Sequence, residues 1–263
     1  NDHPEPVQGP YGALGALDRE EVIFRNNGLR SLLEKGVDIW WYDRNWTVAL
    51  TVPSNLIRET WGMYVYDWIT ADYYKAEDRR PLIMANVDGI DNGYRNNAPS
   101  IAAHRYAIQW TGDIESDFAS LQREIENAVY SGVHAAYPYI SADLGGHRGD
   151  PTFEGYVRWL QYGALSPITR PHGTLNKLRA PWTFGPVAEK ITRDFVKMRY
   201  RLLPLFYSLA RENYDNGDPI LRRCDFYYPE YPEAKSNTQY LLGKDVLVAP
   251  VIDGSDNYKA VPE

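Results

Sequence analysis

The chain has 263 residues, is 44% hydrophobic and 24% charged, and carries a formal net charge of −7. That is an ordinary globular composition, and an acidic chain whose Lys and Arg are scattered sets nucleic acid aside as a partner. No apolar run reaches the ~18 residues of a membrane span, and a single cysteine, Cys224, allows neither an internal disulfide nor a cysteine-rich metal motif.

Aromatic residues make up 14% of the chain, including 8 Trp and 21 Tyr. Flat rings stack on the C–H faces of sugars, and they also fill large cores. The opening residues, 1–6, lack the features of a signal peptide and read as the interior of a longer sequence, so no compartment is assigned. The first helical signal covers residues 19–34, with Val22, Leu29, Leu32 and Leu33 in phase, a capping box at Asp18 and Glu21, and Gly36 as the stop. Residues 37–42 read as a buried strand ending at Asp43.

The alternation continues. Ile57, Trp61, Val65 and Trp68 form a helix face, 82–87 a strand, and 106–110 another strand leading to Asp113. A helix over 118–129 follows, then a strand over 135–140 leading to Asp143. A short helix carries Phe153, Tyr156, Val157 and Leu160, and a strand over 166–169 leads to Arg170 and His172. The last helix is long, from Val187 to Leu209.

Beyond residue 215 the pattern changes to strands at 220–227 and 246–251, with no helix between them. Two domains are expected: a partial (β/α) barrel over 1–215 and the start of a small β domain over 216–263. Cys224 is expected as a buried residue of the first of those strands.

Strands alternating with helices call for parallel pairing, in a doubly wound sheet or a (β/α)8 TIM-type barrel. No glycine fingerprint for a dinucleotide separates strand from helix. Polar residues fall instead at the ends of several strands, where a TIM barrel carries its chemistry. Five strands precede residue 175 and a complete barrel has eight, so the first strands are expected outside this sequence.

Asp43 and Asp113 suit the two-carboxylate chemistry of retaining glycosidases, in which one group attacks the anomeric carbon and the other serves the leaving oxygen. Trp41 and Trp110 offer apolar walls, and Arg44 a cation beside Asp43. An aspartate after a strand is also an ordinary turn or helix-cap residue. The histidines show no His-x-x-x-His spacing, so no metal is expected, and His172 alone is singled out. His104 and His134 read as strand residues, Trp159 as core, and Asp88 and Asp91 as a solvated turn that fails the EF-hand pattern. Asn45-Trp46-Thr47 is a formal glycosylation acceptor beside Asp43, where no modification is expected.

Six segments in order resemble glycoside hydrolase family 31. Residues 36–45 (GVDIWWYDRN) look like its nucleophile segment, and Arg105-Tyr106 followed by Trp110-Thr111-Gly112-Asp113 like its acid/base segment. Residues 141–149 (SADLGGHRG) are similar to its Asp-Ile-Gly-Gly-Phe-x-Gly run, and Pro151, Glu154, Tyr156, Arg158, Trp159 and Gln161 follow in the family's order. Pro167, Arg170 and His172 match Pro-x-x-Arg-x-His, and 239–251 resemble the start of its C-terminal β domain.

The resemblance implies a (β/α)8 barrel and cofactor-free, retaining hydrolysis or transfer of α-glycosides, with Asp43 as nucleophile and Asp113 as general acid/base. Asp143, Arg170 and His172 are implied as sugar-holding or site-supporting residues, Trp41 and Trp110 as walls. The expected partners are a glycoside or oligosaccharide substrate and the remainder of the barrel with its flanking β domains. Two departures bear on specificity. Arg44 and Trp46 stand where the family has Met and Glu, and Asn97 stands where it has an Arg, with Arg95 two residues away. They leave α-glucoside, α-galactoside and N-acetylhexosaminide substrates open, as well as transglycosylation and a non-catalytic sugar-binding role.

Overall fold

The computed structural model describes residues 19–43, 58–86, 90, 91, 93–95, 106, 108–134 and 137–253. Two compact units divide the chain, residues 1–88 with 99–107 and residues 89–98 with 108–263.

In the first unit, helix α1 (Arg19–Glu34) precedes strand β1 (Trp40–Tyr42), and helix α2 (Arg58–Tyr73) precedes strand β2 (Ile83–Ala85). Helix α1 buries Leu29 and Leu33 and ends as expected at Gly36. Gly36 has φ +92°, its N–H bonds Leu33 O at 2.9 Å, and the Val37 N–H bonds Leu32 O at 3.2 Å. That pair of bonds satisfies the last helical carbonyls and needs a residue free to adopt left-handed backbone. Strands β1 and β2 run parallel with Trp40 opposite Ile83 and Tyr42 opposite Ala85. Trp40 and Tyr42 are buried and Trp41 between them is exposed, the two-residue alternation of a strand. The Trp40 indole donates to Thr70 Oγ1 at 2.8 Å, and Trp40 and Tyr42 both meet the Tyr66 ring edge-on, which locks β1 onto α2.

The second unit opens with a small antiparallel pair, β3 (Ile90–Asp91) and β4 (Tyr94–Arg95). Strand β5 (Ile108–Trp110), helix α3 (Phe118–His134), strand β6 (Ile140–Ser141) and helix α4 (Phe153–Ala164) follow. Strands β5 and β6 are parallel, Gln109 opposite Ile140 and Trp110 opposite Ser141. Helix α3 starts where Asp117 Oδ1 accepts the Ser120 N–H at 2.8 Å, and α4 where Thr152 Oγ1 accepts from Gly155 at 3.0 Å. Ile114, Leu121, Ile125, Val129, Leu144 and Trp159 form the center of the core. Trp159 is fully buried, as expected of a core residue.

Helix α5 (Pro186–Asn216) packs on α4 and ends at Gly217, with φ +80°. The Arg199 guanidinium of α5 donates to the carbonyls of Ala164, Ser166 and Pro167, holding the carbonyl end of α4. Strands β7 (Leu221–Arg222), β8 (Tyr240–Leu242) and β9 (Val246–Val248) make a three-stranded antiparallel sheet. Its Tyr240 hydroxyl donates to Leu165 O at 3.1 Å.

Three sequence expectations need correction. Residues 166–169 do not form a strand: Ser166 Oγ and Thr169 Oγ1 both donate to Gly163 O, and Pro167 has no N–H for a ladder. A single parallel bridge, Leu144 to Pro171, replaces the strand. The strand expected over 220–227 stops at Arg222, and Cys224, fully buried as expected, lies in a 3-10 turn (Cys224–Phe226). His134 closes helix α3 rather than lying in a strand. Asp18, Arg44, Asn45, Trp46, Asp88, Asn97 and His104 lie outside the described residues.

Glu124 of α3 is fully buried, and Asn127 Nδ2 donates to its Oε1 at 3.3 Å. Burial pushes its carboxyl up to about 7, against the pull of hydrogen bonds from Thr111 and Asn127. A raised carboxyl is stabilizing while protonated, and that contribution is lost as pH rises from the ordinary carboxylate range through about 7. Glu124→Gln should therefore change stability little near pH ~5 and gain on the parent by roughly 2–3 kcal/mol by pH ~8. Urea midpoints across that range check this; parallel pH profiles would refute it.

Candidate active site

The polar residues at the strand ends of the second unit gather around Asp143, whose side chain is fully buried two residues beyond β6. The Trp110 indole at the end of β5 donates to Asp143 Oδ1 at 2.8 Å. The Arg170 guanidinium forms an ion pair with the same oxygen and donates to Ser141 Oγ at 3.2 Å. Burial raises the Asp143 carboxyl, and the Arg170 charge, the Arg170 and Trp110 hydrogen bonds and the nearby His147 pull it down.

Backbone bonds set this arrangement. The Leu144 N–H bonds Arg170 O at 3.2 Å and the His172 N–H bonds Leu144 O at 3.3 Å, so Arg170 and His172 lie alongside the strand extension that carries Asp143. The Thr174 N–H bonds His147 O at 2.9 Å. His147 Nδ1 and His172 Nε2 end 3.1 Å apart. Burial first, then Arg170, His147 and Arg179, lower the His172 imidazole to about 4, so it is neutral at neutral pH.

Asp113 follows β5 by three residues and is partly exposed, its side chain 23% accessible. His147 Nδ1 stands 3.5 Å from Asp113 Oδ1, and Arg148 Nη2 stands 3.7 Å from Oδ2. Two positive φ glycines, Gly145 (+91°) and Gly146 (+83°), make the turn that brings His147 and Arg148 there. A Cβ on Gly146 would stand 2.4 Å from the Ser116 Cα, so only glycine lets the turn lie against the backbone following Asp113. The Arg148 N–H bonds Ile114 O at 3.0 Å, and the Trp159 indole bonds Ser116 O at 3.1 Å. Arg179 clamps the far side of the turn, donating to Gly146 O at 2.9 Å and Gly149 O at 2.8 Å.

Of the residues singled out from sequence, Trp110, Asp113, Asp143, Arg170 and His172 come together here. Trp110 is 2% exposed, with its polar edge directed to Asp143. Asp43 and Trp41 belong to the first unit, Asp43 half-buried just beyond β1 and Trp41 43% exposed within it. Arg95 packs over the Tyr130 ring and donates to Asn127 Oδ1 at 3.0 Å, a structural engagement with α3. His147 is the residue that sequence spacing missed. Its one signal is a His in the place of Phe in the Asp-Ile-Gly-Gly-Phe-x-Gly run.

Polar side chains gathered at the ends of parallel strands lie where a TIM barrel carries its chemistry. Comparison with known proteins agrees: residues 18–209 match the model of the glycosyl hydrolases family 31 TIM-barrel domain. The chain belongs to glycoside hydrolase family 31. It is 32% identical over 173 residues to an alpha-xylosidase of Emericella nidulans, covering 64% of this chain and 22% of that protein. It is 35% identical over 153 residues to neutral alpha-glucosidase C of Mus musculus, covering 57% and 17%. The chain thus spans about a fifth of the length of these curated relatives. A solved Flavobacterium johnsoniae GH31 dextranase complexed with isomaltotriose is 25% identical with a TM-score of 0.69, over 92% of this chain and 31% of that one.

Removing Arg170 strands the buried Asp143 carboxylate. Arg170→Ala should cost about 3–5 kcal/mol of unfolding free energy, and Arg170→Lys visibly less. Denaturant titration checks this; an Arg170→Ala variant as stable as the parent would show that Asp143 does not need the ion pair.

Proposed function

We propose that the protein is a retaining α-glycosidase that hydrolyses terminal α-linked sugars, with Asp43 as nucleophile and Asp113 as general acid/base. The observation that carries this reading is the partly exposed Asp113 at a barrel strand end beside the buried Asp143–Arg170 pair, in a family 31 chain. Relatives named alpha-glucosidase and alpha-xylosidase, and a dextranase holding isomaltotriose, support α-glucosides or α-xylosides as the substrate class.

In the first step the Asp43 carboxylate attacks the anomeric carbon while Asp113 gives its proton to the glycosidic oxygen, which leaves as an alcohol. In the second, the Asp113 carboxylate takes a proton from water, whose oxygen displaces the Asp43 ester. The sugar leaves with its configuration retained, and both carboxyl groups return to their starting states. The chemistry needs the two groups about 5–5.5 Å apart. Asp143, Arg170 and His172 hold sugar hydroxyls: a buried acceptor, a fixed fork of donors and a neutral imidazole suit a polyol. Trp41 supplies an apolar wall, Trp110 orients Asp143, and Arg44 and Trp46 shape the neighboring subsite. An acceptor sugar in place of water gives transglycosylation by the same steps.

The rest of the barrel, with flanking β domains, completes the site, and residues 216–263 begin one such domain. The antiparallel β7–β8–β9 sheet supports that domain, and the exposed Tyr200, Tyr207 and Tyr214 of α5 support further protein packed on this helix.

Asp113→Ala tests the assignment. Turnover of substrates with poor leaving groups should fall about 10²–10⁴-fold, while aryl α-glycosides with activated leaving groups are spared in the first step. Azide should then restore turnover and yield the α-glycosyl azide. Equal losses on both substrate types without azide rescue would remove Asp113 from the role. A parent protein that binds sugars but turns over none would favor the sugar-binding reading.

A further inference from the structure

Asp143, His147 and His172, beside Asp113, each offer one ligand atom, and the three atoms lie within 4.8 Å of one another. His147 Nδ1 lies 3.1 Å from His172 Nε2 and 3.7 Å from Asp143 Oδ2. Zinc–ligand bonds of about 2.0–2.2 Å at tetrahedral angles separate neighboring ligand atoms by about 3.3–3.6 Å. These two spacings bracket that value, and the third is within 4.8 Å. Asp143 Oδ2 is a second, independent pointer. It is buried, Trp110 and Arg170 are both engaged with Oδ1, and among the described residues Oδ2 has no hydrogen-bond partner.

We propose that Asp143, His147 and His172 form a binding site for a zinc-like divalent ion, with a fourth position open to solvent or ligand. Two imidazole nitrogens and one carboxylate oxygen select borderline metals such as zinc and fail the six-oxygen demand of magnesium or calcium. Three protein ligands with an open position make an accessible site rather than a closed structural one. Asp113 Oδ1 stands 3.5 Å from His147 Nδ1 as a further oxygen near the site, while the Arg170 charge on the far oxygen of Asp143 opposes a cation. His147 is the deciding residue, because Phe at this position, as in the related family run, offers no ligand. Ion and sugar exclude one another, since Asp143 and His172 serve both; this last statement alone rests on the proposed glycosidase reading.

Calorimetric titration of the purified protein with zinc chloride, alongside magnesium chloride, tests the site. One zinc should bind at Asp143, His147 and His172, magnesium should give no such binding, and His147→Phe and His172→Gln should each weaken zinc at least ~10-fold. Circular dichroism verifies that both variants fold. No zinc binding by the parent would overturn the proposal and leave a plain imidazole–imidazole hydrogen bond. Unchanged zinc binding in both folded variants would also overturn it by locating the ion elsewhere. Zinc that binds by these criteria yet leaves turnover uninhibited would overturn the exclusion of sugar and the sugar-holding role of Asp143 and His172, while the metal site would stand.

Discussion

A carboxylate buried away from water must be compensated on the spot, and the second unit is organized around that demand at Asp143. One oxygen receives the Trp110 indole and the Arg170 guanidinium. Those two contacts tie the ends of three successive chain segments together: β5 through Trp110, β6 through Asp143 and the segment after α4 through Arg170. The backbone bonds between Leu144 and both Arg170 and His172 repeat the same tie in the main chain. Loss of compensation at Asp143 would loosen both strand ends and the segment after α4, and with them the polar groups of the site.

The glycine turn after Asp143 extends this order to Asp113. Gly146 lies so close to Ser116 that any side chain would collide with backbone, and Arg148 and Trp159 bond the carbonyls on either side of that approach. A loop residue thereby gains the positional certainty of a core residue. Asp113 keeps partial exposure while its supporting backbone is pinned. That combination suits the acid/base role proposed for Asp113, in which a group meets a substrate and exchanges protons with solvent.

Much of this was legible in the sequence because the physics was local. Leu29 and Leu33 follow helical spacing, and Gly36 supplies the left-handed stop they require. The strand end at Trp110 was readable from an apolar run leading to an aspartate, whereas of the described residues of the strand expected over 135–140 only Ile140 lies in β6. The failures are equally local in cause. Residues 166–169 look like a strand by composition, yet Ser166 and Thr169 spend their hydroxyls on the Gly163 carbonyl and Pro167 has no N–H to give. The strand expected over 220–227 breaks after Arg222, whose buried guanidinium is held by Pro219 O and Glu212, and a 3-10 turn follows. His147 and His172 are 25 residues apart, so no spacing rule pairs them; the Leu144 backbone bridge to the Arg170–His172 segment does.

The central claim is chemical: a glycosyl group is carried on Asp43 during turnover. Incubating the protein with fluorinated α-glycosyl fluorides, which slow release of the covalent intermediate, and then mapping peptides by mass spectrometry tests it most directly. The account predicts one sugar per chain on the peptide containing Asp43, with an α-glucosyl or α-xylosyl reagent labelling fastest. A label on a different carboxylate, or none from any reagent while sugars still bind, would contradict it.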